Sequence, residues 1–182
     1  TELWFFVVAN PDGYQYTFDH ERLWRKNLRD NNGDGITQVG DGVDPNRNFP
    51  AHWGFDEEGS SSIQSSDTYR GPSPFSEPET QNIRDLVSTN QVTTLITNHT
   101  FSDLVLRVPG VADFGAPLEE AQYKALGARM AAHNGYANLP GYGLYDTTGG
   151  AEDWTFWTAG SLSFTFEIGT IGLTPMVQGV VV

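Results

Sequence analysis

The chain has 182 residues, 38% hydrophobic and 13% aromatic, enough to build one domain with a real core. Its 23 acidic against 10 basic residues give a net charge of −13, which repels phosphate backbones and argues against nucleic acid as a partner. There is no cysteine, which excludes disulfides, thiolate metal sites and cysteine nucleophiles, and no run approaches the ~18 apolar residues of a membrane helix. The first residue is Thr1, not Met, and no signal peptide is visible, so a processed or excised N-terminus is expected.

Residues 3–8 are a continuous apolar run, which predicts a strand buried on both faces. Asn10-Pro11-Asp12-Gly13 predicts a turn at its end. Residues 30–66 are rich in Gly, Asp, Asn and Ser but punctuated by Phe49, Trp53 and Phe55, which predicts long ordered loops. Ser76-Glu77-Pro78-Glu79 predicts a helix start with Ser76 as cap and Glu79 completing a capping box; Ile83, Leu86 and Val87 follow at helical spacing. Residues 91–98 and 104–108 read as strands. Residues 117–134 read as a helix, acidic early (Glu119, Glu120) and basic later (Lys124, Arg129), as the helix dipole favours.

A short helix is expected over 151–158 and a strand over 161–168. In that strand Leu162, Phe164, Phe166 and Ile168 alternate with Ser163, Thr165 and Glu167. Strands separated by helices indicate an α/β fold, with a mixed, mostly parallel sheet flanked by helices. Functional groups of such sheets gather at the C-terminal ends of strands, where His99 and Glu167 both fall.

Several catalytic signatures are absent: no Gly-x-Ser-x-Gly elbow, no phosphate loop, and no His-Glu-x-x-His, since Trp24 stands where the second His should follow His20-Glu21. Glu167 ends a strand beside Phe166 and Ile168; it is either a rim carboxylate or one held in a cleft, where desolvation would suit a general base. His99 is either a hydrogen-bonded structural residue or a metal ligand. In Asp44-Pro45-Asn46-Arg47, Asn and Arg offer a fork of donors that could clamp a carboxylate, or form only a turn with a surface arginine. Arg25, beside Trp24, is equally compatible with plain packing. Asp30, Asn32 and Asp34 have the alternate spacing of a calcium loop, with Gly35 at the turn and Asp41 at the twelfth position; the plain alternative is a polar turn of Asx hydrogen bonds.

Taken in order, these stretches resemble the zinc carboxypeptidase family, the pancreatic A/B type and its secreted bacterial relatives. The matching segments are Asn10-Pro11-Asp12-Gly13-Tyr14, Leu23-Trp24-Arg25-Lys26-Asn27, Gly42-Val43-Asp44-Pro45-Asn46-Arg47-Asn48-Phe49, Ser66-Asp67-Thr68-Tyr69-Arg70-Gly71 and Ser76-Glu77-Pro78-Glu79-Thr80. Asn98-His99-Thr100-Phe101-Ser102, Gly149-Gly150-Ala151-Glu152-Asp153-Trp154 and Phe164-Thr165-Phe166-Glu167 follow, and the similarity fades after Gly172. The resemblance implies a secreted metallocarboxypeptidase acting on peptide C-termini. His99 would be a zinc ligand and Glu167 the base that activates zinc-bound water. Arg25 would stabilise the oxyanion, Asn46 and Arg47 would bind the terminal carboxylate, and Tyr145 would close over the substrate. Asp44 would orient a zinc ligand, and Glu152 would line the pocket for the terminal side chain, favouring Lys or Arg.

The family's other two zinc ligands come from a His-x-x-Glu motif, and no His in this sequence has Glu three residues on: Leu23, Phe55, Ser102 and Tyr136 stand there. The expectation is therefore a single partial peptidase domain over 1–182, incomplete at both ends. Two further readings are a non-catalytic module that binds peptide C-termini, and a calcium-stabilised structural domain built on the Asp30 loop.

Overall fold

The structure is a computed structural model that describes residues 2–169 and 179–181. Residues 170–178, where the similarity of sequence fades, lie outside the described residues. Six strands form one sheet: β1 (Phe5–Phe6), β2 (Thr94–His99), β3 (Leu104–Arg107), β4 (Ala137–Pro140), β5 (Leu162–Glu167) and β6 (Gly179–Val181). Their spatial order is β1-β6-β2-β5-β3-β4. β2 and β5 are parallel, as are β3 and β4; the other pairings are antiparallel. The mixed α/β sheet expected from the sequence is present, with the parallel β2–β5 pair near its middle.

Among the described residues four α-helices accompany it: α1 (Pro11–Asp19), α2 (Pro78–Thr89), α3 (Glu120–Asn134) and α4 (Ala151–Ala159). On α3 the buried residues Tyr123, Gly127 and Ala131 recur every four positions, a stripe that packs on β3 and β4. α4 buries Ala151, Asp153, Trp154, Thr155 and Phe156 and packs on β5 and β2. Its Trp154 joins Phe49, Ile83, Val87 and Leu95 in one core cluster. Its Phe156 joins Val105, Tyr123 and Phe164 in the other. A helix shared by two clusters has little freedom to move, and its first turn carries Glu152 and Asp153.

Three local expectations are corrected. The run 3–8 contains only a two-residue strand at the sheet edge, and Leu3, Phe5 and Val7 are exposed. Apolar character records a capacity for burial; here β6 is the only strand paired with β1 among the described residues. Asn10-Pro11-Asp12-Gly13 does not form a free turn but opens α1. Asn10 accepts a hydrogen bond from the Gly13 N–H and Pro11 occupies the first turn, a use of the same residue types that needs no strand reversal. The capping box at Ser76 is absent: Glu77 is the cap residue of α2, without a capping side-chain bond. Its carboxylate instead accepts from Asn27, Arg29 and Ser76, while Glu79 accepts from Asn27.

Candidate active site

The cleft lies at the C-terminal ends of β2 and β5. In their parallel register His99 sits directly beside Glu167, and two residues earlier Thr97 sits beside Thr165. Side chains two apart on a strand share a face, so both pairs point the same way. The Thr97 and Thr165 hydroxyls are 3.0 Å apart. The alternation read from the sequence holds: Phe164 enters the apolar core, and Thr165 and Glu167 line the cleft.

Three loop segments close the other sides. The Asn27 amide oxygen accepts from the Val43 N–H at 2.8 Å, and the Val43 carbonyl accepts from the Asn27 N–H at 2.9 Å. This two-way latch brings Arg25 against Asp44, with Nη2 at 2.7 Å from Oδ2. The 3₁₀ turn Pro45–Arg47 follows, with the Asp44 side chain accepting from the Asn46 N–H. Asn46 turns its amide oxygen to the Ala151 N–H at 2.9 Å, capping the start of α4. Gly149 completes the junction at φ +71; a Cβ there would lie 2.2 Å from the Arg47 carbonyl oxygen, so only glycine allows this approach.

Arg25, Asn46, Arg47, His99, Tyr145, Glu152 and Glu167 all line this one cleft. Asp44 lies behind it, fully buried, and its charged neighbours are Arg25 and, at 4.0 Å, Arg47. Arg107, Asp153 and Thr165 also line the cleft and had not been singled out from the sequence, and Thr97 contacts two of its residues, Glu152 and Thr165. Asp153 stood next to Glu152 in a quoted motif, and Thr165 shared the alternation with Glu167; those were the available signals. Arg107 is held on the far side by Glu120, at 3.0 Å, and by Asn138.

The electrostatics are unusual for so acidic a chain. Glu167 is 6% exposed. Burial pushes its carboxyl up to about 7; the Glu152 charge adds to the effect, and Arg25 and Arg47 oppose it. Asp153 is also pushed up to about 7, chiefly by burial, although both its oxygens accept from the Gly110 N–H. Burial pushes His99 below its ordinary value, against the pull of Glu152. Burial also works against the Arg25 charge, but Asp44 and Tyr145 outweigh it.

Arg47 is 2% exposed, and its Nε, like that of Arg25, has no hydrogen-bond partner. Asp44 Oδ2 is close to Arg25 but has no well-aligned donor. Buried donors are rarely left unpaired, so the two arginine Nε–H groups are fitted to receive something with acceptors of its own. Tyr145, 48% exposed, stands over them with its ring 6.0 Å from the Arg47 guanidinium.

A catalytic zinc takes three protein donors and a water. His99 fits as one such donor, with the Glu152 and Glu167 carboxylates in the same cleft. The donor set at His99 is nonetheless incomplete: the one group of three close donors among the described residues is Asp30, Asp34 and Asp41, none of which lines the cleft. There the carboxylates are already engaged. Asp30 accepts from the N–H groups of Gly33, Asp34 and Gly35. Asp34 accepts from Ile36 and Gln38, and Asp41 from Asn31 and Gln38. Asn32 donates to Asp34 through its amide nitrogen.

A zinc carboxypeptidase family model matches residues 1–178. The chain is 36% identical to carboxypeptidase A1 of Mus musculus, covering 92% of this chain and 40% of that protein. It is 37% identical to carboxypeptidase B of Rattus norvegicus, covering 94% and 42%. Among solved structures, carboxypeptidase A from Helicoverpa armigera superposes with a TM-score of 0.80 at 33% identity, covering 94% of this chain and 43% of that one. The chain thus spans about two fifths of the length of these relatives. No helix among the described residues is long and apolar enough to cross a membrane. The match over nearly the whole chain, together with the fold, establishes that it belongs to the zinc carboxypeptidase family.

Proposed function

We propose that the cleft is the substrate-binding and proton-transfer part of a secreted metallocarboxypeptidase that releases single C-terminal residues from peptides. The observation that carries this reading is the convergence of Arg25, Asn46 and the buried, incompletely paired Arg47 on a carboxyl that ionises near 7. Arg47 and Asn46 bind the terminal carboxylate, which confines the reaction to free chain ends. Arg25 faces the carbonyl oxygen of the last peptide bond and stabilises the charge that develops there. Glu167, poised between its two protonation states at neutral pH, takes a proton from the attacking water and returns it to the leaving amine. Tyr145 excludes water by closing over the bound end. Zinc, when bound, lowers the pKa of water and polarises the carbonyl; His99 is the chain's own donor to it.

Glu152 and Asp153 give the pocket an acidic wall, which favours Lys or Arg as the terminal residue. Supplying zinc to the chain and following release of lysine from a C-terminal-lysine peptide tests the reading. Glu167→Gln is expected to remove hydrolysis, and Glu152→Gln to erode the preference for lysine over alanine. Hydrolysis that survives Glu167→Gln contradicts the assignment of the base. Failure of the chain both to hydrolyse and to bind free C-termini removes the reading altogether.

A second reading concerns stability rather than chemistry. The carboxylate oxygens of Asp30, Asp34 and Asp41 lie within 4.8 Å of one another, a spacing that supports calcium in this loop, with Asn32 at its edge. Calcium-dependent melting, lost in Asp41→Asn, is its test.

A further inference from the structure

We propose that the aromatic platform of Phe55, Phe114 and Trp157, flanked by Glu58 and Asp113, is an accessory docking surface for a cationic stretch of polypeptide, one rich in arginine or lysine. Three separate segments build it: the loop after the Pro45–Arg47 turn, the 3₁₀ turn Ala112–Phe114 that follows β3, and the later turns of α4. Phe55 lies 4.9 Å from Phe114 by ring centroids, and Phe114 stacks on His52 at 3.5 Å with an interplanar angle of 13°. Trp157 meets His52 edge to face at 6.3 Å. Trp157 also packs on Phe156, a core residue, so the row of rings is anchored from below. Phe55 and Trp157 are nonetheless half exposed, at 51% and 50%. None of these rings lines the cleft.

His52 joins the row at a cost to itself. Its backbone is left-handed, φ +54, a conformation that residues with a Cβ seldom adopt. Its Nε2 is buried without a hydrogen-bond partner, which polar atoms rarely bear. The stack on Phe114 is the contact this ring makes instead, and such strain persists where it has a use. Charge then selects the partner. No Lys or Arg stands in residues 51–60, 111–119 or 151–160, whereas Asp56, Glu57, Glu58 and Asp113 do. Asp56 accepts from the N–H groups of Glu58 and Gly59, and Glu57 is paired with Arg70 at 2.6 Å. Glu58 and Asp113 are exposed and belong to no ion pair among the described residues. The same loop already shows the chemistry within the chain: Arg70 lies over the Trp53 ring at 5.4 Å while it binds Glu57. Exposed rings with carboxylates at their rim hold a guanidinium by its face and by its edge. A second copy of a chain at −13 would set acid against acid, and a phosphate surface would be repelled.

A hexa-arginine peptide, acetylated at one end and amidated at the other, tests this on the whole chain, because it offers no terminal carboxylate to Arg47. Amide chemical-shift mapping is expected to show changes over residues 52–58, 112–115 and 156–158. Phe55→Ser and Trp157→Ala, which leave the net charge alone, should each weaken binding about three- to tenfold. Both side chains are half exposed, so each variant is expected to keep the wild-type spectrum elsewhere. Glu58→Lys with Asp113→Lys should remove binding without touching a ring. Asp12→Asn with Asp19→Asn, on α1, should change the affinity by less than about twofold, as expected of distant, screened charges. Wild-type affinity in both ring variants overturns the proposal, as does equal binding of a hexa-glutamate peptide or a shift map confined to the cleft or to α1. Neither zinc nor hydrolysis enters the measurement, so its outcome is separate from the peptidase reading.

Discussion

Two polar regions of this chain carry motif-like spacing, and they differ in how their polar atoms are satisfied. In the Asp30–Asp41 loop the carboxylates accept hydrogen bonds from the loop's own N–H groups, and Asp30 and Asp34 are exposed. At the ends of β2 and β5 the opposite holds. Glu167, Asp153 and Arg47 are buried, Arg25 Nε and Arg47 Nε lack hydrogen-bond partners, and Asp44 Oδ2 has an ion pair with Arg25 but no well-aligned donor. A loop that satisfies itself can be stable without a ligand. A buried set that does not is costly, and a fold tolerates the cost where the groups have a task.

The largest expected effect separates the two regions by pH. Glu167 is raised from the ordinary 4.5 to about 7, and Asp153 from 3.8 to about 7. Between those values the unfolded chain ionises first and the folded chain holds the proton. Stability is therefore highest below about pH 4 for these two groups and falls as pH rises to about 7, by up to roughly 3–4 kcal/mol for each. Urea unfolding at pH 5 and pH 8 in metal-free buffer should show the loss, and Glu167→Gln or Asp153→Asn should each flatten it. A profile unchanged by both variants would mean that the cleft is not a reservoir of strained charge.

A smaller effect tests the joint between cleft and helix. Asn46→Ala removes the cap at Ala151, at a cost of about 1 kcal/mol, and should also weaken binding of peptides with a free C-terminus. Loss of stability with unchanged binding would confine Asn46 to capping. The smallest effect belongs to the loop. A cation there must displace hydrogen bonds already made, so millimolar calcium should raise the melting temperature by only a few degrees. Magnesium should do less, and Asp41→Asn should abolish the difference. A shift much larger than that would make the loop, not the cleft, the more demanding ligand site.

The contrast also shows what could be read from sequence. The β5 strand was legible because Phe164 and Phe166 alternate with Thr165 and Glu167. His99 and Glu167 were legible as strand-end residues, and the register of β2 and β5 then puts them side by side. α1 was not legible, because Asn10 and Pro11 serve equally well in a turn and at a helix start. β4 was missed because four residues, Ala137–Pro140, carry no alternation; its pairing with β3 and the packing of α3 make it a strand. Asp153 looked like part of a motif, and its burial depends on the Gly110 backbone 43 residues away. Arg47 read as a turn residue or a clamp, and only its near-complete burial beside Asp44 and Tyr145 favours the second.

The central claim is that Arg47, with Asn46 and Arg25, forms a receptor for a terminal carboxylate facing Glu167. The most direct measurement compares, on this chain, the affinities of one peptide ending in lysine as the free acid and as the C-terminal amide. The account predicts that the free acid binds at least about tenfold tighter, the discrimination of one charge-assisted hydrogen bond, and that Arg47→Ala removes the difference. Equal affinities for acid and amide in the wild-type chain would contradict it.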